Sequence, residues 1–385
     1  MRPVLKTIYK PPVYLNEAYL FTLGREVFEI PDEDGEVSKL FKLMDGINTI
    51  DKIAELMGAP LQDIVDTIES LNEYKLVEDI DADKCGLSEY SIKKNRANFN
   101  HFNNFTDLSL TKYQILRKLA DSEVCILGLG GASIIGTALV GLGVGKISGA
   151  DFDVVELSNL NRQFLYNTED IGKLKSDSLY NRLSKMSDEV EVVVHNKKID
   201  STKMLEPIIK SANVVVSGID TPQIVSRRWV NSACVQLKKP YVQAGISNGA
   251  IAWQSYRPGS ACFDCYLIDC MVREESYGEM LAQQYGRNFS GNNTTIAPNA
   301  TLICGFLTNE IFRMITGLQG GMQPSEINEL NTVTMSPNSS YQWPKYDKCP
   351  TCGKDHSGES IGYEIGSLEE LIEIARQIRE DQNNE

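Results

Sequence analysis

The segment VCILGLGG, residues 124–131, decides the fold of this chain. Its first four residues are apolar and predict a buried strand, and its glycines predict a tight turn into a helix over 134–142. Further elements then alternate along the chain: a strand at 148–150, a helix at 173–186, and strands at 190–195 and 213–217. Such alternation is typical of a Rossmann-like, doubly wound α/β domain, in which helices cover both faces of a mostly parallel sheet.

The glycine-rich turn predicts a phosphate-binding loop. Gly128, Gly130 and Gly131 allow the backbone to approach phosphates closely, and the helix N-terminus that follows favours their negative charge. The dinucleotide fingerprint has a glycine where this chain has Ser133, which makes NAD the less favoured ligand. Because such a turn also serves helix packing alone, neighbouring motifs have to decide the ligand.

A second group of polar residues follows between positions 151 and 175. Asp151 lies 20 residues after Gly131, where an acidic side chain accepts hydrogen bonds from ribose hydroxyls. Donors for phosphate oxygens then cluster in one short loop: Ser158, Asn159, Asn161 and Arg162. Arg162 offers a forked donor, and Lys175 offers a point charge for a transition state. A solvated polar loop is the alternative, which the joint spacing of these residues disfavours.

Residues 124–352 resemble the adenylating domains of the ThiF/MoeB superfamily, which act in molybdopterin and thiamine biosynthesis and in ubiquitin activation. The resemblance rests on three motifs: DxDxVxxSNLxRQ at 151–163, GxxK at 172–175 and VVSGIDTP at 215–222. It implies that the nucleotide is ATP and that Lys175 is the catalytic lysine. It also implies that Asp220, with Thr221 beside it, holds a Mg²⁺ ion that bridges the phosphates.

The same resemblance implies a homodimer. In this superfamily an arginine upstream of the first strand of the domain reaches the ATP of the partner subunit. Arg96, within KKNRANF at 93–99, is the best match for that arginine. We therefore expect Arg96 to act at the nucleotide site of a second copy of this chain.

Two Cys-x-x-Cys pairs, Cys262 with Cys265 and Cys349 with Cys352, predict a metal site. Four thiolates in this spacing are typical of a tetrahedral structural Zn²⁺ site with no open position. A redox-active pair is the alternative, but it requires a pair at a helix N-terminus, and neither pair is predicted to lie there. The long separation of the pairs predicts that zinc ties the sheet region to the C-terminal segment.

Residues 1–82 are predicted to form a small α+β domain of winged-helix-like type. Alternating apolar and polar residues over 12–30 predict a β-meander. Short elements complete the prediction: helices at 37–44, 49–56 and 60–71, and a strand at 75–77. Residues 40–80 resemble PqqD-type domains, which recognise the leader peptides of ribosomally made, modified peptides. The resemblance implies that an extended precursor peptide pairs with an exposed sheet edge.

A winged-helix DNA binder and a structural cap are the alternatives for the N-terminal domain. The acidic loop Asp32–Glu36 and the net charge of −14 disfavour a nucleic-acid partner, because phosphate backbones require clustered Lys and Arg. The chain has no run of 18 apolar residues, and residues 1–24 lack the apolar stretch of a signal peptide. We therefore expect a cytoplasmic protein with reduced cysteines and no membrane partner.

The length of 385 residues suits two domains rather than one. We predict four segments: the peptide-recognition domain at 1–82, a linker and helix at 83–120, the adenylation domain with its zinc site at 121–362, and a C-terminal helix and tail at 363–385. A strand at 361–365 and a charged helix at 368–379 are expected near the C-terminus.

The cysteines also bear on the substrate. Ubiquitin-type and sulfur-transfer members of the superfamily use a cysteine, often in the crossover segment, but residues 272–298 contain none. Cys125, Cys234 and Cys304 are predicted to be buried. With its peptide-recognition domain, the chain resembles the peptide-modifying members of microcin C-type and pantocin-type antibiotic biosynthesis. The resemblance implies adenylation of a C-terminal or side-chain carboxylate on a ribosomally made precursor peptide.

Two other functions remain open at this stage. The substrate could instead be a ubiquitin-like sulfur carrier that ends in Gly-Gly. The chain could also be a non-catalytic peptide-binding protein with a relic nucleotide fold, although the charged residues Asp151, Arg162, Lys175 and Asp220 are all retained.

Overall fold

The computed structural model describes the chain in the following ranges: 1–6, 12–23, 26–247, 249–287, 294–338, 340–353 and 364–384. Contacts divide the chain into two compact units, residues 1–118 and residues 119–385. Among the described residues, no helix is both long and apolar enough to span a membrane.

The first unit begins with two small antiparallel sheets. Strand β1 (Pro3–Leu5) pairs with β5 (Val77–Asp79), and a meander contains β2 (Val13–Leu15), β3 (Ala18–Leu23) and β4 (Glu26–Pro31) in that order. Asn16 and Glu17 connect β2 to β3 with φ values of 52° and 59°. Two consecutive left-handed residues match the tight hairpin turn that joins twisted strands, so the meander predicted over 12–30 forms.

Three amphipathic helices pack on the meander: α1 (Glu36–Leu43), α2 (Ile50–Met57) and α3 (Leu61–Glu73). The Thr49 side chain caps α2 by accepting a hydrogen bond from the Lys52 N–H. Apolar side chains at helical spacing form the core with Phe21 of β3: Leu40, Ile53, Ile64, Ile68 and Leu71. Strand β5 starts two residues later than predicted, because Lys75 turns the chain with a φ of 58°.

Three further helices occupy the segment that was predicted to be a linker and helix: α4 (Glu89–Lys94), α5 (Arg96–Phe102) and α6 (Lys112–Ala120). The Ser88 side chain caps α4. Phe99 and Phe102, three residues apart on α5, are both buried, which gives this helix an apolar face amid its asparagines.

Among the described residues, the second unit is built on one nine-stranded sheet. Its strands are β6 (Glu123–Leu127), β7 (Lys146–Asp151), β8 (Glu191–Asn196), β9 (Val214–Ser217), β10 (Tyr241–Ser247), β11 (Ala250–Tyr256), β12 (Glu326–Asn331), β13 (Ser336–Pro337) and β14 (Tyr341–Gln342). Five of them form a parallel sheet in the order β8-β7-β6-β9-β10, and β11 and β12 extend it antiparallel. The doubly wound α/β prediction is confirmed, and the antiparallel extension is an addition to it.

Helices cover this sheet: α7 (Ser133–Leu142), α8 (Lys175–Leu183), α9 (Glu206–Ile209), α10 (Val225–Gln236), α11 (Phe263–Arg273), α12 (Tyr277–Gln284), α13 (Ala297–Thr316) and α14 (Leu368–Asn384). Helix α14 matches the charged helix predicted near the C-terminus, whereas most of the strand predicted at 361–365 lies outside the described residues. Cys125, Cys234 and Cys304 are buried as predicted.

Candidate functional site

The order of the parallel strands reverses at β6. From β6 the chain continues to β7 on one side and returns to β9 on the other side, and ligands of such sheets bind outside the carboxyl ends at this point. Gly128 follows β6 with a φ of 84°, and a Cβ atom there would lie 2.6 Å from the carbonyl oxygen of Gly218. The N–H of Gly218 donates to the Leu127 carbonyl at 2.7 Å. Only glycine fits at position 128, because the two strand ends touch here.

The turn after β6 presents donors that the protein itself leaves unused. Within the described residues, the backbone N–H groups of Gly130, Gly131 and Ala132 have no protein acceptor. They precede α7, whose N-terminus lacks a side-chain cap. Three neighbouring N–H groups at the positive end of a helix fit the oxygens of a phosphate. The glycines predicted from the sequence therefore form an arrangement that could hold a phosphate group.

Asp151 fixes the shape of this turn. It ends β7 with 8% of its surface exposed, and its two carboxylate oxygens accept the Leu129 N–H at 2.6 Å and the Asp153 N–H at 2.8 Å. Each oxygen keeps a second lone pair, which leaves room for a ribose hydroxyl. The ribose contact expected from the sequence stays a prediction, while the bond to the glycine turn is present in the protein alone.

Tyr166 and Gln163 support the same turn and were not assigned from the sequence. The Tyr166 hydroxyl donates to the Leu129 carbonyl at 2.6 Å. The Gln163 side chain lies over Gly130, where a Cβ atom would be 3.3 Å from its amide nitrogen. Gln163 is the last residue of the SNLxRQ motif, so the motif itself held a signal for its position.

Residues of the predicted phosphate loop form hydrogen bonds with one another. Arg162 donates from Nη1 to the Ser158 carbonyl at 2.8 Å and to the Asn161 side chain at 2.9 Å, which leaves Nε and Nη2 for a ligand. Asn159 is buried, and its side-chain oxygen accepts the Glu156 N–H at 3.1 Å. Asn159 therefore shapes the loop, and Arg162 keeps available donors, whereas the exposed Ser158 hydroxyl donates to the Glu156 carboxylate at 3.1 Å.

Lys175 is the first residue of α8 and is 6% exposed. Its Nζ donates to the Asp153 carboxylate at 2.9 Å, and its backbone N–H donates to the Asp153 carbonyl at 2.9 Å. Asp153 is the second acid of the DxD motif, and no role was predicted for it. It holds the lysine beside the segment that contains Asp151.

Asp220 and Thr221 follow β9 on an exposed loop. The Thr221 hydroxyl donates to the Asp220 carboxylate at 3.3 Å. A carboxylate beside a hydroxyl offers the oxygen ligands that Mg²⁺ prefers, so the pair fits the predicted metal role. Two backbone hydrogen bonds connect this loop to the segment after α12, one between the Gln223 N–H and the Arg287 carbonyl at 2.9 Å and one between the Gly286 N–H and the Gln223 carbonyl at 3.2 Å.

The four cysteines of the two Cys-x-x-Cys pairs come together and are buried. Their sulfur atoms all lie within 4.8 Å of one another, with 3.7 Å between Cys262 and Cys349 and 3.3 Å between Cys265 and Cys352. Zn–S bonds of about 2.3 Å in a tetrahedron place sulfurs about 3.8 Å apart. The cluster therefore fits Zn²⁺, which would offset the burial that raises the pKa of the Cys262 thiol. Zinc at this site stays a prediction.

One expectation about these cysteines is wrong. Cys262 is the N-cap of α11, and Cys265 lies in the first turn of that helix, so this pair does occupy a helix N-terminus. The structure gives the reason: α11 starts directly after the turn at Gly259, which the sequence pattern did not mark as a helix start. The redox alternative still lacks support, because both pairs share one buried cluster rather than one exposed pair.

A buried ion pair joins the two cysteine pairs, and the sequence did not predict it. Arg228 of α10 and Asp264 are both fully buried, with Nε–Oδ1 at 2.8 Å and Nη2–Oδ2 at 2.9 Å. Asp264 lies between Cys262 and Cys265, and it also accepts the hydroxyl of Thr351, the residue between Cys349 and Cys352, at 2.7 Å. Hydrogen bonds of Asp264 with Arg228 and Thr351 therefore hold the two Cys-x-x-Cys segments in position around the cluster.

The remaining donors of Arg228 are also satisfied. Its Nη1 donates to the Tyr285 hydroxyl at 2.6 Å and to the Gly366 carbonyl at 2.7 Å. Burial opposes the charge, but Asp264 outweighs it and raises the pKa of Arg228. The network therefore ties α10, the segment after α12 and the C-terminal segment to the cysteine cluster.

Arg96 belongs to the first unit, where it is the exposed first residue of α5. Its predicted action on a partner's nucleotide stays a prediction.

Two curated relatives share part of their sequence with this chain. The sulfur carrier protein ThiS adenylyltransferase of Escherichia coli K12 is 37% identical over 132 residues, which are 33% of this chain and 50% of that protein. The adenylyltransferase and sulfurtransferase MOCS3 of Aedes aegypti is 32% identical over 151 residues, which are 38% of this chain and 34% of that protein. The chain therefore spans between a third and a half of these relatives' length.

Two solved structures have a similar fold over nearly the whole chain. E. coli MccB, solved with ATP, gives a TM-score of 0.72 at 20% identity and covers 92% of this chain and 100% of its own. PaaA gives a TM-score of 0.70 at 18% identity and covers 89% of this chain and 100% of its own. The ThiF family matches residues 102–352, well over half of the sequence, and the chain therefore belongs to the ThiF family.

Proposed function

We propose that this protein is an ATP- and Mg²⁺-dependent adenylyltransferase that activates a carboxylate of a ribosomally made precursor peptide. Membership of the ThiF family supports adenylation. Among proteins of similar fold, E. coli MccB has been solved with ATP and with MccA. The observation that carries the proposal is the convergence at one sheet edge of the unused N–H groups of residues 130–132, Arg162, Lys175 and Asp220.

Each of these groups has a role in adenylation. Bound ATP supplies the AMP group: a carboxylate oxygen bonds to the α-phosphorus, the bond to the bridging oxygen breaks, and pyrophosphate leaves. The N–H groups of residues 130–132 and the free donors of Arg162 hold phosphate oxygens. Asp220 and Thr221 would hold Mg²⁺, and Lys175 stabilises charge that develops as the bond breaks. Asp151 keeps the glycine turn in place.

The first unit offers a surface for the peptide. Strand β2 is an edge of the β2-β3-β4 sheet, and Val13, Tyr14 and Leu15 are 59%, 50% and 53% exposed. An apolar edge strand with free backbone groups is a template for pairing with an extended chain. We assign precursor-peptide binding to residues 1–82, ahead of the linker and helix at 83–120, the adenylation domain at 121–362 and the C-terminal segment at 363–385.

The cysteines near the crossover segment support direct use of the acyl adenylate rather than a thioester relay. Residues 272–298 contain no cysteine. Burial raises the pKa of Cys304 to about 12 and also raises the pKa of Cys270. Because the thiolate is the nucleophilic form, neither flanking thiol is prepared for attack.

We also propose a homodimer in which Arg96 of each copy acts at the partner's nucleotide. Mixing Arg96→Ala with Lys175→Ala subunits should restore activity, since one heterodimer site then contains both residues. Light scattering that shows only monomers at micromolar concentration contradicts this arrangement.

Exchange of labelled pyrophosphate into ATP tests the function. The panel contains synthetic peptides matching short reading frames beside the gene, together with a sulfur carrier that ends in Gly-Gly. We expect exchange with one peptide, dependent on Mg²⁺, and none without peptide. The relatives named as adenylyltransferase for ThiS favour the sulfur carrier as a second candidate. Exchange with the carrier and with no peptide would establish that candidate instead.

A further inference from the structure

Arg227 is a half-buried arginine with few partners. It lies in the first turn of α10, directly before the fully bonded Arg228. Its one hydrogen bond among described residues runs from Nη2 to the Ala244 carbonyl at 3.3 Å, and it forms no ion pair with them. The next residue of β10 is Gly245, where a Cβ atom would lie 3.4 Å from Nη2. Because Gly245 has no side chain, the Arg227 guanidinium lies against β10. Most of its N–H groups have no acceptor among the described residues.

A row of unpaired polar side chains lies on the same face of the sheet. Ser217, Gln243 and Gln254 are register partners on β9, β10 and β11, with 6%, 1% and 7% exposure. Among the residues that the structure describes, the Ser217 hydroxyl, both amide atoms of Gln243 and the Gln254 oxygen have no hydrogen-bond partner. Gln243 lies two residues before Gly245, so this row and Arg227 share one face. Buried polar groups normally find partners, and a group of unpaired ones indicates a missing ligand or water.

No carboxylate in the described part of the chain forms an ion pair with Arg227. Burial lowers the pKa of Arg227, and Asp220 is the largest influence in the opposite direction. Asp220 is also the proposed ligand of Mg²⁺, and a carboxylate bound to a metal gives up most of its attraction for an arginine. A desolvated guanidinium is costly until an anion pairs with it. The position next to Asp220, at the carboxyl ends of β9 and β10, is where a reacting carboxylate has to meet the phosphates.

We propose that Arg227 binds the substrate carboxylate that becomes adenylated, and that Ser217, Gln243 and Gln254 bind polar groups of the residue that carries it. The proposal rests on the proposed function. A planar guanidinium pairs with a carboxylate through two parallel hydrogen bonds, which fix the direction of the oxygen that attacks phosphorus. Lysine has the same positive charge but lacks the two parallel N–H donors of a guanidinium. The Arg227→Lys substitution therefore separates the effect of charge from the effect of bidentate geometry.

The test uses the full chain and the precursor peptide that supports pyrophosphate exchange. In Arg227→Met we expect the peptide KM to rise roughly 30- to 100-fold, on the scale of a lost hydrogen bond to a charged group. Arg227→Lys should retain part of the binding but lower kcat, because the forked geometry is lost. The Kd of MgATP, measured by calorimetry, should stay within about threefold in both variants, since Arg227 is not assigned to the nucleotide.

The chain offers a matched control in Arg257. It follows β11 and is paired through Nη2 with Glu310 at 2.8 Å, so Arg257→Lys should leave the peptide KM unchanged. An unchanged peptide KM in Arg227→Met, with an active unmodified protein, overturns this inference alone. An equal loss in MgATP affinity also overturns it, because Arg227 would then belong to the nucleotide site. Absence of exchange with every peptide in the unmodified protein overturns the proposed function, and this inference with it.

Discussion

Two adjacent arginines, Arg228 at the zinc end and Arg227 at the nucleotide end of the second unit, differ in how completely they are paired. At the zinc end, Arg228 has bonded partners at Nε and at both terminal nitrogens, and Asp264 also accepts the Thr351 hydroxyl. At the nucleotide end, adjacent Arg227 has one long hydrogen bond, and Ser217 and Gln243 have unpaired side-chain atoms. The two arginines are neighbours in sequence and differ only in what surrounds them.

The difference separates groups that maintain the fold from groups that await a ligand. A fully paired buried network has no donor or acceptor available for a ligand. Removal of one of its members destabilises the protein. An incompletely paired network is costly to the protein alone, and that cost is recovered when a ligand binds. The buried Gln163 side-chain oxygen beside the glycine turn has no hydrogen-bond partner among the described residues, which extends the pattern to the nucleotide loop.

Removal of a cysteine ligand should have the largest effect. Cys352→Ser breaks the four-thiolate cluster, and metal analysis should fall from about one Zn²⁺ per chain to near zero. Apparent zinc-binding free energies of about 10–16 kcal/mol in small structural sites indicate a severe loss of stability. Cys270→Ser is the control, because Cys270 lies on α11 with the cluster residue Cys265 but does not belong to the cluster. A folded wild-type preparation without zinc would contradict the assignment.

Substitution of Arg228 and of Arg227 should change the stability of the protein by very different amounts. Arg228→Met leaves Asp264 buried and uncompensated, and we expect a loss of about 3–5 kcal/mol in the free energy of unfolding. Arg227→Met should lose far less, because it gives up one long hydrogen bond. Urea denaturation measures both. Similar losses in the two variants would show that pairing does not distinguish these ends of the unit.

The nucleotide end should respond with activity rather than stability. Asp220→Asn and Lys175→Met should each reduce turnover about 10²-fold or more, the scale of a single electrostatic group in a transition state. The free energy of unfolding should change by less than about 1 kcal/mol, since Asp220 is exposed and the Asp153 partner of Lys175 is half exposed. Full activity in either variant would remove that residue from the mechanism.

Two threonines give the smallest contrast. Thr351 donates to buried Asp264 at 2.7 Å, and Thr221 donates to exposed Asp220 at 3.3 Å. Thr351→Val should cost about 1–3 kcal/mol in unfolding free energy, because it deprives a buried carboxylate of a donor. Thr221→Val should stay within about 0.5 kcal/mol but weaken Mg²⁺-dependent ATP binding. Thermal unfolding and calorimetry distinguish these outcomes, and the reverse order would contradict the contrast.

The sequence predicted the features that depend on local pattern. Strands β6, β8 and β9 follow from apolar runs, the glycine turn from its spacing, and the cysteine cluster from two short motifs. The Arg228–Asp264 pair could not be predicted, because its members are 36 residues apart and Asp264 occupies a variable position of its Cys-x-x-Cys motif. The row of Ser217, Gln243 and Gln254 depends on strand register, which one sequence does not reveal. Asp153 was quoted within a motif, yet only the structure shows that it holds Lys175.

Hydrogen–deuterium exchange tests whether MgATP orders the nucleotide end and leaves the zinc end unchanged. It reports on individual backbone segments at both ends of the second unit. We predict slower exchange for the glycine turn at 128–133, the phosphate loop at 157–163 and the loop at 218–223. We predict no change at 262–265 and 349–352, where Asp264 already accepts hydrogen bonds from Arg228 and Thr351. Slower exchange only at the cysteine pairs, or unchanged exchange at the glycine turn under saturating MgATP, would contradict nucleotide binding at the glycine turn.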